Sequence, residues 1–143
     1  MKIRLVMLGK TRRPEVRAII DDYRARIERF AEVQITELRE DSAASIRRLS
    51  IDPAATVVLL DDAGKHRTSV NFARWIGETR DRGARELVFL CGGAQGFPRE
   101  LRTRATQKIS LSPLTFSHEL ARIMLVEQLY RAFAILSGHP YPK

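Results

Sequence analysis

The sequence has few of the residues that build disulfides, metal centres and membrane spans. Its single cysteine, Cys91, excludes an internal disulfide and any site with several cysteine ligands. Its three histidines, His66, His118 and His139, lack the spacing of metal ligands, so no metal is expected. The apolar runs, such as residues 3–9, are too short for a membrane span or a signal peptide. We therefore expect a cytoplasmic protein that does not engage a membrane.

The composition is that of a globular protein with an excess of basic residues. The 143 residues contain no repeat or low-complexity tract, which predicts one domain spanning residues 1–143. Lysine and arginine number 25 against 17 acidic residues, and the net charge is +8. Most of the bases are arginines, whose forked donors suit phosphate groups. The charge favours a polyanion such as nucleic acid as partner, although a solvated basic surface would have the same composition.

Strand and helix patterns alternate along the chain. Continuous apolar or alternating runs predict strands at 2–9, 33–38, 56–62, 84–93 and 108–112. Helical spacing and capping residues predict helices at 14–30, 41–50, 70–82, 97–105 and 117–137, the second of them capped by Asp41 or Ser42. This alternation predicts an α/β fold with a mostly parallel sheet covered by helices on both faces.

Ligands of such open sheets bind at the carboxyl ends of the strands, which here selects the loops 61–68, 92–97 and 112–117. The second loop contains three glycines, which allow a backbone to approach a nucleotide closely, or simply form a tight turn. The third combines hydroxyl and apolar side chains that suit a flat aromatic ring, and its Ser117 also suits a helix N-cap. The second loop does not have the spacing of a dinucleotide fingerprint, and Gly64-Lys65 in the first loop lacks the upstream glycine of a P-loop.

The last predicted helix is apolar on nearly all sides, which requires burial on nearly all sides. A monomer of this size does not easily surround a terminal helix. We therefore expect a homodimer in which this helix packs partly on its own sheet and partly on the second subunit. A two-fold axis would also bring the tail of one subunit near the loops of the other.

Two stretches, "FLCGGAQGF" at 89–97 and "LTFSHELARIMLVEQLYRA" at 114–132, resemble the family that methylates pseudouridine in ribosomal large-subunit RNA, within the SPOUT superfamily. The resemblance implies a C-terminal trefoil knot, a rare exception to unknotted chains, and a homodimer. It implies S-adenosylmethionine as cofactor and, as substrate, a pseudouridine of 23S rRNA on the assembled ribosome, methylated on nitrogen 3. The cofactor positions carried over are Leu60, Gly92, Leu111, Ser112, Pro113, Leu114, Thr115 and Phe116.

The tail departs from the family pattern, because Tyr141 is followed by Pro142 and Lys143 where the family has a histidine and a basic residue. Three accounts are compatible with this change. His139 reaches in as the base; Tyr141 and Lys143 suffice by orienting and stabilising the substrate anion, which is the account we favour; or activity is reduced. The proline also keeps open a knotted ribosome-binding factor without catalysis, while a stable monomer would favour an unrelated nucleotide-binding α/β protein.

Basic side chains near these motifs are candidates for contacts with RNA phosphates, with plain solvation as the alternative. They are Arg99, Arg102, Arg104, Lys108, Arg122 and Arg131.

Overall fold

Strands and helices alternate along residues 1–39, 43–93 and 96–142, which a computed structural model describes. The strands are β1 (Lys2–Leu8), β2 (Glu32–Leu38), β3 (Thr56–His66), β4 (Glu86–Cys91) and β5 (Gln107–Ser110). The helices are α1 (Pro14–Ile27), α2 (Ala43–Arg48), α3 (Ser69–Asp81), α4 (Arg99–Arg102) and α5 (His118–Ser137). The predicted order of elements is confirmed; the predicted caps of α2, Asp41 and Ser42, lie outside the described residues.

The five strands form one parallel sheet in the order β2-β1-β4-β3-β5. The central strands β1 and β4 are apolar along most of their length because both of their faces are covered. Leu5 in β1, for example, pairs with Ile35 on one side and Phe89 on the other. Since all the strands run the same way, their carboxyl ends share one edge of the sheet.

Helices cover both faces of the sheet, as predicted. On one face, α1, α3 and α5 pack over a core that includes Ile20, Phe72 and Leu129. On the other face, the short helices α2 and α4 cover a smaller core with Ile46 and Leu101. Helix α5 packs against both α1 and α3 and so forms the middle of the three-helix layer.

Strand β3 continues beyond the point where its sequence predicts an end. The paired carboxylates Asp61 and Asp62 indicate a loop from residue 61, whereas the strand extends to His66 with a shift of register against β5 between Leu60 and Lys65. Gly64 makes the shift sterically feasible, because a Cβ at that position would lie 2.8 Å from the backbone of Ile109. The loop predicted at 61–68 is therefore mostly a bulged strand.

Helix α5 begins and ends with local capping interactions. The Ser117 hydroxyl accepts the Leu120 N–H, and Gly138 adopts φ 73° directly after the last turn. The helix is not buried on all sides within the chain, since Leu120, Met124 and Ile135 remain 40–48% exposed. In the described part of the chain, no helix has the length and apolar character needed to span a bilayer.

Candidate functional site

A cavity of about 310 Å³ opens at the carboxyl edge of the sheet, where β3, β4 and β5 end. It is lined by parts of the three segments that the sequence selects: residues 60–62 in the middle of β3, the glycine loop and the loop after β5. Of the eight proposed cofactor residues, all but Pro113 line it: Leu60, Gly92, Leu111, Ser112, Leu114, Thr115 and Phe116. The structure thus gathers residues about fifty positions apart in the chain around one cavity.

Hydrogen bonds between and within these segments fix the cavity wall. The Thr115 hydroxyl donates to Asp62 Oδ2 at 3.2 Å and joins the third segment to the first. Asp61 Oδ1 accepts the Ala63 N–H at 2.9 Å, which holds the bulge of β3. The two neighbouring carboxylates therefore have separate structural partners and do not form an acid–base pair.

The glycine loop leaves room for a ligand beside an aromatic ring. A Cβ on Gly92 would lie 3.2 Å from the Phe97 ring, and Phe97 itself lines the cavity. Any side chain at position 92 would thus have to displace that ring or occupy the cavity. Ala94 and Gln95 of this loop lie outside the described residues. In the described part of the loop, the absence of a side chain at Gly92 leaves space for a ligand to approach the backbone closely, as the glycines predict.

The loop after β5 is rigidified by serine side chains and presents apolar groups. Ser110 Oγ donates to the Ser112 carbonyl at 2.8 Å, and Ser112 Oγ accepts the Leu114 N–H at 3.0 Å. Leu114 lines the cavity although it is 72% exposed. An apolar side chain held in solvent at a cavity mouth suits a flat, partly apolar ligand whose binding would cover it.

Cys91 also lines this cavity but is unsuited to nucleophilic chemistry. Its side chain is 3% exposed, and burial raises the pKa of the thiol to about 12, an increase that the nearby Arg122 guanidinium only partly offsets. The thiol therefore stays protonated at neutral pH. Within the described residues, no group of three or more His, Cys, Asp or Glu side chains lies close enough to bind a metal ion.

Two charged side chains of α5 anchor the start of that helix to the loop between β1 and α1. Glu119 Oε1 accepts the N–H groups of Arg12 at 2.9 Å and Arg13 at 3.1 Å, and these bonds hold the pKa of the carboxyl below its usual value. Arg122 donates to the Leu8 carbonyl at 2.6 Å and to the Thr11 hydroxyl at 2.9 Å. The β1 end is thereby locked beneath the wall that His118 and Ala121 contribute to the cavity.

The proposed phosphate contact by Arg122 is wrong, because its side chain is completely buried. An arginine surrounded by apolar helix positions satisfies two buried oxygen acceptors more than a hundred residues away, which sequence spacing does not reveal. The Arg131 guanidinium also has a partner within the chain, because it forms an ion pair with Glu127 at 2.8 Å.

The described tail residues fold back along α5 to about its middle and do not reach the cavity. Helix α5 has 20 residues and is therefore about 30 Å long, with His118 at the cavity and the tail beyond Ser137. The Tyr141 hydroxyl donates to Glu127 at 2.7 Å and lies 3.0 Å from the Tyr23 hydroxyl. His139 is exposed, and Lys143 lies outside the described residues. None of the tail residues that the structure describes lines the cavity of the same chain.

The environment of Tyr141 keeps its phenol protonated. Burial raises the pKa of Tyr141, and the hydrogen bonds with Tyr23 and Glu127 raise it further. Its ring packs 4.6 Å from the Tyr130 ring, and the Arg131 guanidinium lies 5.1 Å from its centre. At neutral pH the side chain is therefore a hydrogen-bond donor and not a base.

Together, a parallel α/β sheet and a partly apolar cavity at its carboxyl edge are typical of α/β proteins with a small-ligand site. A family model described as "Predicted SPOUT methyltransferase" matches residues 1–142. The chain belongs to the SPOUT methyltransferase family, which confirms the resemblance drawn from its glycine loop and last helix.

Curated relatives match along the whole chain. A protein of Trichlorobacter lovleyi named "Ribosomal RNA large subunit methyltransferase H" is 42% identical, and the match covers 99% of each chain. A protein of Geotalea daltonii with the same name is 41% identical over the same shares. Among solved structures, a probable methylase family protein from Haemophilus influenzae matches 99% of this chain and 70% of its own, with TM-score 0.56. At 11% identity, that last likeness concerns the fold alone.

Proposed function

We propose that this protein transfers a methyl group from S-adenosylmethionine to nitrogen 3 of a pseudouridine in 23S rRNA on the assembled ribosome. The observation that carries the proposal is the cavity of about 310 Å³ formed by the three segments. The supporting comparison is the full-length relative at 42% identity named for methylation of large-subunit ribosomal RNA. The whole chain, residues 1–143, would act as one domain in the cytoplasm.

The cavity has the chemistry that this cofactor requires. The apolar side chains of Leu60, Leu111 and Phe116 suit the faces of an adenine ring, and the backbone around Gly92 and Ser112 suits its polar edge. The missing side chain at Gly92 leaves the space that a Cβ would otherwise take beside Phe97. Pro113 and Thr115 belong to the same loop, with Thr115 held by Asp62. When bound, the cofactor supplies a methyl group activated by a positively charged sulfur.

On the substrate side, the residues of this chain must orient the ring nitrogen and stabilise the anion that remains after the proton of nitrogen 3 has passed to solvent water, or to His139 in the alternative account. Because the reaction joins an anion to a cation and ends with neutral products, positioning contributes more than a strong electrophile. The Tyr141 O–H, which donates to Glu127 at 2.7 Å, would turn from that carboxylate to donate to a carbonyl oxygen of the substrate anion, and the ammonium of Lys143 would offset the charge of the anion. His139, exposed beside Tyr130, is the alternative base.

We infer a homodimer for this arrangement, because Tyr141 is held at Glu127 and no tail residue that the structure describes lines the cavity of its own chain. An exposed apolar surface on α1 and α5, formed by Ile19, Leu120, Met124 and Ile135, is a suitable interface. An antiparallel crossing of two α5 helices would place the tail of one subunit beside the cavity of the other. A trefoil knot of the C-terminal segment belongs to the same proposal, supported by family membership.

The test is methyl transfer in vitro with labelled S-adenosylmethionine and ribosomes from a strain that lacks this enzyme. We expect about one methyl group per ribosome, found by mass spectrometry on nitrogen 3 of a pseudouridine of 23S rRNA. Ribosomes from a strain that retains the enzyme are the control and should accept none. Tight binding to ribosomes without any transfer would instead support the noncatalytic ribosome-binding factor.

A further inference from the structure

The two faces of the sheet differ in whether the positive charges of their arginines are paired with acidic side chains. On the α1 and α5 face, most basic side chains have an acidic neighbour: Arg17 lies 3.2 Å from Glu37, Arg24 3.2 Å from Glu28, Arg26 3.3 Å from Asp22 and Arg131 2.8 Å from Glu127. These pairs reduce the net charge of that face. They leave the exposed apolar side chains of α1 and α5 as its distinguishing feature.

The α2 and α4 face carries basic side chains without such neighbours. We call them the basic strip: Arg47 and Arg48 in α2, Arg99 and Arg102 in α4, and Lys108 in β5. All five are exposed, and none forms an ion pair with any residue that the structure describes. The acidic residues described nearby are Glu100 in α4, Asp52, whose carboxylate accepts the Ala54 N–H at 2.8 Å, and the cavity residues Asp61 and Asp62, which accept hydrogen bonds from the Ala63 N–H and the Thr115 hydroxyl.

The two helices that carry most of the basic strip are joined to each other, and the strip reaches the cavity. Arg104, directly after α4, donates to the Leu49 carbonyl at 2.8 Å and so ties the end of α4 to the end of α2. Ile46 and Leu101 pack in one core beneath the two helices. At its other end the strip reaches the cavity, because Arg102 is one of the residues that line it.

We propose that the basic strip is the surface on which the sugar–phosphate backbone of the ribosomal RNA docks beside the methyl-transfer cavity. Uncompensated arginines on one face, next to the cavity, provide the charge and the fork geometry that phosphates require. This inference rests on the proposed function. It adds which face of the sheet meets the RNA and leaves the α1 and α5 face for the second subunit.

The test compares two double variants with the same change of charge. Arg47→Glu/Arg48→Glu alters the strip, whereas Arg82→Glu/Arg85→Glu alters exposed arginines at the amino edge of the sheet, away from the cavity. Binding of each protein to protein-free 23S rRNA and to ribosomes is measured over a range of salt concentrations. Calorimetry with S-adenosylmethionine checks that the cavity is intact, and Arg47→Gln/Arg48→Gln replaces the first variant if that one fails to fold.

We expect the strip variant to bind both probes at least about tenfold more weakly, with a salt slope shallower by roughly 1.5 to 2 for two lost phosphate contacts. The control pair should stay close to the wild-type protein. If both double variants bound RNA and ribosomes equally more weakly, the cause would be their net charge, and the proposal would be overturned. Unchanged binding by both double variants would overturn it as well. Loss on ribosomes alone, with rRNA binding retained, would assign the strip to a ribosomal protein and also overturn it.

A failure of the docking surface can be distinguished from a failure of the proposed function. If the wild-type protein methylates ribosomes while the strip variant binds and methylates normally, the docking surface is wrong and the activity stands. If the wild-type protein transfers no methyl group, the activity is wrong whatever the strip binds.

Discussion

Replacing Gly64 with alanine should destabilise the protein, because the new methyl group would meet backbone and not side chain. Its Cβ would lie 2.8 Å from backbone atoms of Lys108 and Ile109, in the strand that pairs with β3. A backbone held in a sheet cannot move aside without loosening the pairing of Lys65 with Ile109 and of His66 with Ser110. Overpacking of this kind costs about 1–3 kcal/mol.

The matched control is Gly77→Ala, in the interior of α3. There the new Cβ would lie 2.9 Å from Leu136 Cδ2, the far end of a flexible side chain that can rotate away. Alanine also gains about 1 kcal/mol over glycine inside a helix, which offsets the crowding. We therefore expect the free energy of unfolding of this variant to stay within about 1 kcal/mol of the wild-type value.

Thermal unfolding followed by circular dichroism, at equal protein concentrations, distinguishes the two variants. A loss near 2 kcal/mol should lower the Tm of Gly64→Ala by roughly 6–8 °C, and the Tm of Gly77→Ala should change by less than about half of that. Gly64→Ala should also bind S-adenosylmethionine more weakly than the wild-type protein, since Leu60 and Asp61 precede the bulge and line the cavity. If Gly64→Ala melts with the wild-type protein, or if both variants lose the same stability, the argument from β3–β5 contact is refuted.

Three further substitutions test other contacts. Gly92→Leu should abolish S-adenosylmethionine binding in calorimetry without unfolding the chain, because its side chain must displace Phe97 or enter the cavity; retained affinity would contradict the cavity assignment. Arg122→Met should lower the free energy of unfolding, measured in urea, by about 3 kcal/mol, since it leaves the Leu8 carbonyl and the Thr11 hydroxyl buried without this donor. An unchanged free energy of unfolding would contradict this role of Arg122. Because the pKa of Glu119 is lowered in the folded protein, its carboxylate stabilises the fold above pH 4.5, and this stabilisation is lost as the pH falls below 4.5. The Tm of Glu119→Gln should therefore depend less on pH in that acid range than the Tm of the wild-type protein. Identical pH profiles of the two Tm values would contradict this role of Glu119.

The layout of the fold and the position of the cavity could be predicted from the sequence because both depend on local patterns. The apolar strand of β4, the helical spacing of α1 and the caps of α5 each lie within one short segment. Once the strands are taken as parallel, their carboxyl ends must share an edge, so the glycine loop and the loop after β5 lie at that edge. Their meeting around one cavity also depends on the strand order β4-β3-β5, which local patterns do not predict. Their role as cofactor ligands stays a prediction.

Contacts between distant residues could not be predicted in the same way. Gly64 follows two aspartates and looks like part of a turn, and only the neighbouring strand explains why β3 continues through it. Arg122 looks like a surface base until the end of β1 provides its acceptors. The bond from Tyr141 to Glu127, which holds the tail against its own protomer, also depends on packing that no local motif encodes.

Subunit complementation tests the central claim that each site combines the cavity of one subunit with the tail of the other. Gly92→Leu removes the cavity and keeps the tail, whereas a chain with His139, Tyr141 and Lys143 replaced by alanine keeps the cavity and removes the tail. Each variant alone should be inactive in methyl transfer to ribosomes. After the two are unfolded and refolded together, activity should return to about a quarter of the wild-type value, since half of the dimers are mixed and each of those has one complete site of two. No recovery in dimers shown to be mixed would contradict the shared site.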